Sequence, residues 1–371
     1  MKTSAAIRRA SQQARNAMRE LDAANVKELL QIYTDAAEQV RAAIAGRLDN
    51  ANTVPREGLQ ALLRQIEDVL ADLGRRRDEM LVERLGQAAA LGVRPYTAQG
   101  VAAVGGNVSA TGGAAQAVLD SSAAMRVSTE AARFVQTFTA ADGLQLSDRL
   151  WRLDQGAKEA LQRAIGNAVV QGWSASRAAA ELAYAGQPVP TALALQLNRA
   201  KGPALTGLGD LLHTGDGAEV WKADRVFRTE LNRAHGEAYM AGAEATPGFV
   251  GFKFLLSPAH PEPDICDLLA AQNLHGLGKG VYPSREKTPW PAHPNTLSFL
   301  QIVFADEVTD ADRAGKETEL QALQRLGPEI RAGVLGVAKA EYFDAGLLRS
   351  KGMIRAPLRA VRERLERTGA V

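Results

Sequence analysis

The candidate ligands between positions 260 and 293 are His260, Asp264, Cys266, His275 and His293. Cys266 is the only cysteine of the chain. Structural zinc takes four nitrogen or sulfur ligands in a tetrahedron, usually as two close pairs in sequence. Cys266 has no second cysteine to pair with and the histidines are scattered, so the sequence argues against a metal, and no pattern calls for another cofactor. A cysteine nucleophile needs a histidine within hydrogen-bond reach and a third group to orient that histidine. His293 and Asp264 are of the right types, but Cys266 sits among Ile265, Leu268 and Leu269, the setting of a buried, inert thiol. A metal- or cysteine-dependent hydrolase or nuclease built on Asp264, Cys266, His275 and His293 is therefore the alternative function, and its carboxylates are sparse for a two-metal site. The favoured reading is structural. Pro283, Pro289, Pro291 and Pro294 fix backbone angles, Gly276, Gly278 and Gly280 permit tight reversals, and Tyr282 and Trp290 supply an apolar body.

Two strands must hold such a segment. Val250, Phe252, Phe254 and Leu256 alternate with Gly251, Lys253 and Leu255, and a second strand-like run covers Ser298 to Ala305. The expectation is a short antiparallel sheet near residues 249–305 with the chemistry-bearing segment between its strands. Before it, Trp221 to Ala245 reads as a helix. Phe227, Leu231, Ala234, Ala238 and Ala241 face a core, and Arg228, Asn232, His235 and Tyr239 form a polar stripe. His235 on that stripe reads as a hydrogen-bonded packing residue.

The rest of the chain reads as mainly α. Val26, Leu29, Leu30, Tyr33, Ala37, Val40 and Ile44 line one face of a long helix, and Leu59, Leu62, Leu63, Ile66, Val69, Leu70 and Leu73 line a second, so residues 1–91 are expected as a helical hairpin arm. Residues 92–125, rich in Gly, Ala and Ser, read as a flexible linker, and the resemblance of 102–116 to a phosphate-cradling loop lacks the Lys-Ser/Thr ending. Residues 126–220 are a helical region, with Ser147 as cap and Leu150, Trp151, Leu153, Leu161, Ile165 and Val169 on the apolar face. Within it "QGWSASRAAAEL" outlines a helix-turn-helix with only Arg177 and Glu181 to reach bases, so bundle packing is favoured over groove reading. Residues 221–305 form the α+β domain and 306–371 a C-terminal helical segment.

The chain has 371 residues, 46% hydrophobic and 23% charged, enough for two or three domains. A single cysteine excludes an internal disulfide, and no apolar run is long enough to span a bilayer, so the expected compartment is a cytoplasm and no membrane partner is expected. Net charge is +2 but uneven. Lys2, Arg8, Arg15 and Arg19 crowd one end without an acid among residues 1–19, and Arg355, Arg359 and Arg362 belong to a basic run at the other. A solvated stripe is the plain reading. Contact with an acidic protein or a phosphate backbone is the functional one.

"RVFRTELNRAHGEAY", a strand, "DICDLLA", "GLGKGVYP" and "PWPAHPN" follow one another in an order that resembles the Mu F-like family of phage head morphogenesis (minor capsid) proteins. Flanking helices extend the resemblance from about Phe134 to Leu348. Members commonly place cysteines where this chain has Thr296 and Ser298, so the carry-over to Asp264, Cys266, His293 and Pro294 favours loop architecture over metal chemistry. It also marks Arg228 and Glu230 as partners of the loop. The resemblance implies a non-enzymatic role in the virion, at the portal vertex or capsid interior. Its implied partners are portal protein, major capsid or scaffold protein, and DNA bound without sequence preference.

Overall fold

The computed structural model describes residues 3–47, 56–105, 119–140, 142–171, 212–214, 217–260, 262–294 and 296–369. Lys2, the proposed helix-turn-helix from Gly172 onward and most of the glycine-rich stretch lie outside them. The fold is mainly helical with one small antiparallel sheet. No helix among the described residues is long and apolar enough to cross a membrane.

Among the described residues, the α-helices before Glu219 are α1 (Thr3–Ala45), α2 (Arg56–Val93), α3 (Ala98–Ala102), α4 (Ser121–Thr137) and α5 (Leu146–Gln171). Helix α6 (Glu219–Glu244) leads into β1 (Phe249–Leu255), α7 (Ile265–Ala271), β2 (Val281–Tyr282) and β3 (Phe299–Phe304). Six short helices close the chain: α8 (Asp310–Ala314), α9 (Glu319–Arg325), α10 (Pro328–Leu335), α11 (Val337–Asp344), α12 (Lys351–Arg355) and α13 (Leu358–Arg367).

These elements form two compact units that do not follow the boundaries expected from sequence. One comprises Met1–Asn16, Ala89–Ala131 and Asn232–Val371, the other Ala17–Ala88 and Ala132–Leu231. In the second unit, α1 and α2 pair antiparallel. As residue number rises along α1 it falls along α2, with Asp35 bound to Arg76 at 2.8 Å and Glu28 to Arg84 at 2.5 Å. Most of the expected stripes are buried: Leu29, Tyr33, Ala37, Val40 and Ile44 of α1, and Leu62, Ile66, Leu70 and Leu73 of α2. Leu161 and Ile165 of α5 and Phe227 of α6 are fully buried in the same unit. Helix α5 starts at Leu146, and its free N-terminal amide at Gln145 is answered by the Asp148 carboxylate at 2.8 Å, not by a Ser147 cap. Trp151, expected on the apolar face, is 61% exposed, while Leu161 and Ile165 further along that helix are fully buried.

Arg77 is the largest fully buried side chain. Its guanidinium lies 2.8 Å from Asp154 and 2.7 Å from Asp78. The neighbouring Tyr33 phenol is pushed up to about 12 by burial, against the opposing pull of Arg77.

The sheet belongs to the other unit, in the order β2-β1-β3, both pairs antiparallel. Phe252 of β1 lies between Tyr282 and Ile302, and Phe254 is opposite Leu300. Alternation puts these on one face, where they pack with Ile7, Tyr96, Tyr239, Met240 and Cys266. A second cluster unites Leu268 with the C-terminal helices through Leu323, Phe343, Ile354, Val361 and Leu365.

Two expectations are corrected in this unit. Residues 92–105 and 119–125 are not linker. Helix α2 runs on to Val93, a 3-10 turn buries Tyr96 completely, Thr97 caps α3, and Leu119 forms a bridge with Thr97. Large apolar groups in an alanine-rich stretch, Val93, Tyr96 and Val101, are enough to anchor it. The basic start of α1 is also not a free stripe. Both oxygens of Glu307 accept from the Arg8 guanidinium, Arg15 stacks over the Phe299 ring at 4.4 Å, and Ser11 is buried against Tyr239. Arg19, Arg355, Arg359 and Arg362 are exposed. Arg355 pairs with Glu319 at 3.2 Å and Arg359 with Glu363 at 2.8 Å.

His235 stacks on Tyr239 with ring centroids 6.3 Å apart. Its Nε2 is shut off from solvent without a hydrogen-bond partner. Burial, and then the charge of Arg15, lower its pKa from 6.5 to about 4. Between those two values the unfolded chain binds a proton that the folded chain does not. Stability should therefore fall as pH drops from about 6.5 to about 4, by on the order of 2–3 kcal/mol, and this contribution should change no further below that. Urea melts at neutral pH and at about pH 4.5 check this. The parent should lose more stability than His235→Phe, and equal losses would refute it.

Candidate functional site

The site is assembled from the start of α7, the turn before β3 and the side of α6 that carries Asn232 and Gly236. Asp264 is the N-cap of α7, and its Oδ1 accepts from the Cys266 amide at 2.6 Å. Asp267 answers reciprocally, its Oδ2 accepting from the Asp264 amide at 2.9 Å. This is a capping box with aspartates at both positions, and it fixes the first turn. It turns the Cys266 side chain into the sheet core and leaves Asp264 Oδ2 facing outward.

The turn carrying His293 closes over that point. His293 Nε2 lies 3.0 Å from Asp264 Oδ2 and 3.1 Å from Cys266 Sγ. Its Nδ1 is 2.8 Å from the Pro294 carbonyl oxygen. Thr296 Oγ1 is 3.6 Å from the same sulfur. On the other side His260 Nε2 lies 2.9 Å from Asp267 Oδ2 and 3.8 Å from Asp264 Oδ1. Burial pushes the Cys266 thiol up, against the Ser298 and Thr296 hydroxyls, and the Asp264 carboxylate raises it further. Two sets of side chains therefore offer ligand atoms within 4.8 Å of one another: Asp264 with Cys266 and His293, and His260 with Asp264 and Asp267.

The geometry is unlike that of an activated cysteine. In a nucleophile–base–acid relay the acid holds the imidazole nitrogen opposite the nucleophile. Here Asp264 and Cys266 share Nε2, and Nδ1 faces a backbone carbonyl. His275, the fourth member of the hydrolase set, is elsewhere. It packs edge-on to Tyr282 at 5.9 Å, and burial with Lys287, Lys316 and Lys351 nearby lowers its pKa.

A tryptophan clamps the segment to α6. Trp290 Nε1 donates to the Asn232 carbonyl at 3.1 Å, and the Asn232 amide group donates to the Thr296 carbonyl at 3.2 Å. The indole meets Phe254 edge-on at 6.0 Å and occupies the space where Gly236 has no side chain. The Trp290–Pro291 peptide is cis. Inside the segment, β2 ties Tyr282 to the sheet, with its hydroxyl donating to the Leu269 carbonyl at 2.9 Å. Gly276, Gly278 and Gly280 all have positive φ, of 69°, 108° and 70°, which only glycine adopts freely.

Sequence reasoning named Asp264, Cys266, His293 and Pro294, and the fold brings all four together. Arg228 and Glu230, marked as loop partners through the resemblance, have ion pairs elsewhere: Arg228 with Asp224 at 3.1 Å and Asp22 at 3.4 Å, and Glu230 with Arg149 at 3.9 Å. Asn232, one turn further along α6, holds the loop instead. Asp267 and Gly236 were also missed. The Asp264-x-x-Asp267 spacing before an apolar run was the available signal for Asp267. Asn295 lies outside the described residues. Compared with known proteins, the chain matches no family model, no curated protein and no solved structure.

Proposed function

We propose that this is a phage or prophage minor head protein that acts in capsid assembly. It docks on portal and capsid or scaffold protein, resides at the portal vertex or capsid interior, and contacts packaged DNA without sequence preference. The observation that carries the reading is the clamp of Trp290 and Asn232. It holds a proline-stiffened surface segment rigid between strands, as a docking element requires, and it lies within the run of motifs that resembles the Mu F-like family. A preorganised segment loses little conformational entropy on binding a partner. The hydrolase reading has less support, because Cys266 and Asp264 compete for one imidazole nitrogen and the thiol is held protonated by burial.

Co-expression with the portal and capsid proteins encoded beside it, followed by mass spectrometry of purified particles, tests the reading. The chain is expected in particles in few copies. Its absence from them, together with no association with either partner, would overturn the proposal.

For DNA the exposed cations of α12 and α13 are the candidates. Binding to random duplex should weaken steeply with salt, and Arg362→Ala should lower the slope of log K against log salt by about 1. An unchanged slope, or a preference for one duplex sequence over random competitor, would contradict non-specific contact through this helix.

A further inference from the structure

We propose that Asp264, Cys266 and His293 together bind one divalent transition-metal cation, zinc by the chemistry of the ligands. The argument starts at the imidazole. His293 Nδ1 is 2.8 Å from the Pro294 carbonyl, which can only accept, so Nδ1 carries the hydrogen. In the neutral ring Nε2 is then a bare lone pair. It faces a carboxylate oxygen at 3.0 Å, which also can only accept, and a sulfur at 3.1 Å. The thiol can donate its S–H to that lone pair, but the carboxylate oxygen cannot, and a cation held among nitrogen, oxygen and sulfur satisfies all three. A proton on Nε2 would serve them as a shared, weakened hydrogen bond, whereas a metal ion takes nitrogen, oxygen and thiolate sulfur together.

The surroundings are arranged as ligand-orienting contacts are. The Pro294 carbonyl fixes the tautomer and ring angle of His293, and the Cys266 amide holds Asp264 through its other oxygen. Imidazole, thiolate and carboxylate suit zinc or cobalt, and are a poor set for magnesium or calcium, which take oxygen ligands. The thiolate and carboxylate charges neutralise a divalent ion, and the thiol proton leaves to solvent as the ion enters. His293 and Asp264 keep 33% and 34% of their side chains exposed, which provides an entry path and leaves a fourth position for water. His260, held by Asp267, stands beside Asp264 and is the nearest further nitrogen.

Such an ion would join the first turn of α7 to the turn before β3. The inference rests on these contacts and not on a capsid role, so either can fail without the other.

The test uses the full chain, reduced and stripped with a chelator, then titrated with Co²⁺ and back-titrated with Zn²⁺. The readouts are the thiolate-to-cobalt charge-transfer absorbance and the thermal midpoint. One cobalt per chain, a charge-transfer band displaced by zinc, and a midpoint that rises with metal concentration are expected. Cys266→Ser should abolish the band, and His293→Gln should weaken affinity at least tenfold. His275→Gln, outside the cluster, should change neither. Circular dichroism shows which variants fold, and if Cys266→Ser does not, His293→Gln and Asp264→Asn decide the matter. A folded parent protein without a charge-transfer band in excess cobalt, or equal affinity in the folded variants, overturns the proposal.

Discussion

Gly236→Ala is expected to destabilise the protein by about 3 kcal/mol, the sum of an overpacked contact and a displaced aromatic side chain. A Cβ at this position would overlap Nε1 and Cδ1 of Trp290, the part of the rigid indole that is fixed by its bond to the Asn232 carbonyl. The substitution should therefore evict the tryptophan, free the turn that carries His293 and Thr296, and lower stability. In a Trp290→Ala background the sign should reverse. With the indole gone, alanine in a helix interior is favoured over glycine by up to about 1 kcal/mol. A double-mutant cycle measured by urea denaturation checks this, with a coupling of about 3–4 kcal/mol expected from these two figures. If Gly236→Ala costs the same with and without Trp290, the clamp is not what this glycine is for.

Removing Arg77 should cost about as much. Arg77→Ala removes the cation shared by Asp78 and Asp154 and opens a cavity where a large side chain was. The two carboxylates are 40% and 39% exposed and can be taken up by water, so the cost is lost packing and charged hydrogen bonds, about 2–4 kcal/mol. Arg77→Lys should restore only part of this, because a single ammonium cannot reproduce the fork that meets both carboxylates. The deficit carries a pH signature. Burial already raises the Asp78 carboxyl, with Arg77 opposing that rise, so without the arginine its pKa should rise further. An acid whose folded-state pKa lies above its unfolded value favours folding most when protonated. The variant's deficit should thus shrink as pH falls through the carboxylate range. A deficit independent of pH would mean that the loss is packing alone.

The long helices α1, α2 and α6 and the strands β1 and β3 were legible because each repeats a pattern that a short window reveals, whereas α3 and the two-residue β2 are too short to show one. Phe252 and Phe254 alternate with small or polar neighbours, and Leu29, Tyr33, Ala37 and Val40 recur at helical spacing. The site was legible as residue types, a cysteine, two histidines and an aspartate among prolines and glycines. Its geometry was not. His293 reaches Cys266 across 27 residues, and nothing local says that the turn after Pro291 folds back over the start of α7. Asn232 was placed on a polar stripe of α6, but which stripe residue would meet the loop depended on where Trp290 lands.

Charge was the least readable property. Arg8 and Arg15 belong to a basic run that looks free in sequence, yet both are used within the chain, on Glu307 and Phe299. Arg77 sits in the run "RRRD" as if on a solvated helix face and is fully buried. By itself the sequence determined the mainly helical class, the small antiparallel sheet and the stiffness of the segment between its strands, because periodicity, proline and glycine act through local backbone geometry. The tertiary structure decided which charges are spent inside and which ligand atoms converge. Those outcomes depend on partners tens to hundreds of residues away, and a long polar side chain carries no local mark of whom it will meet.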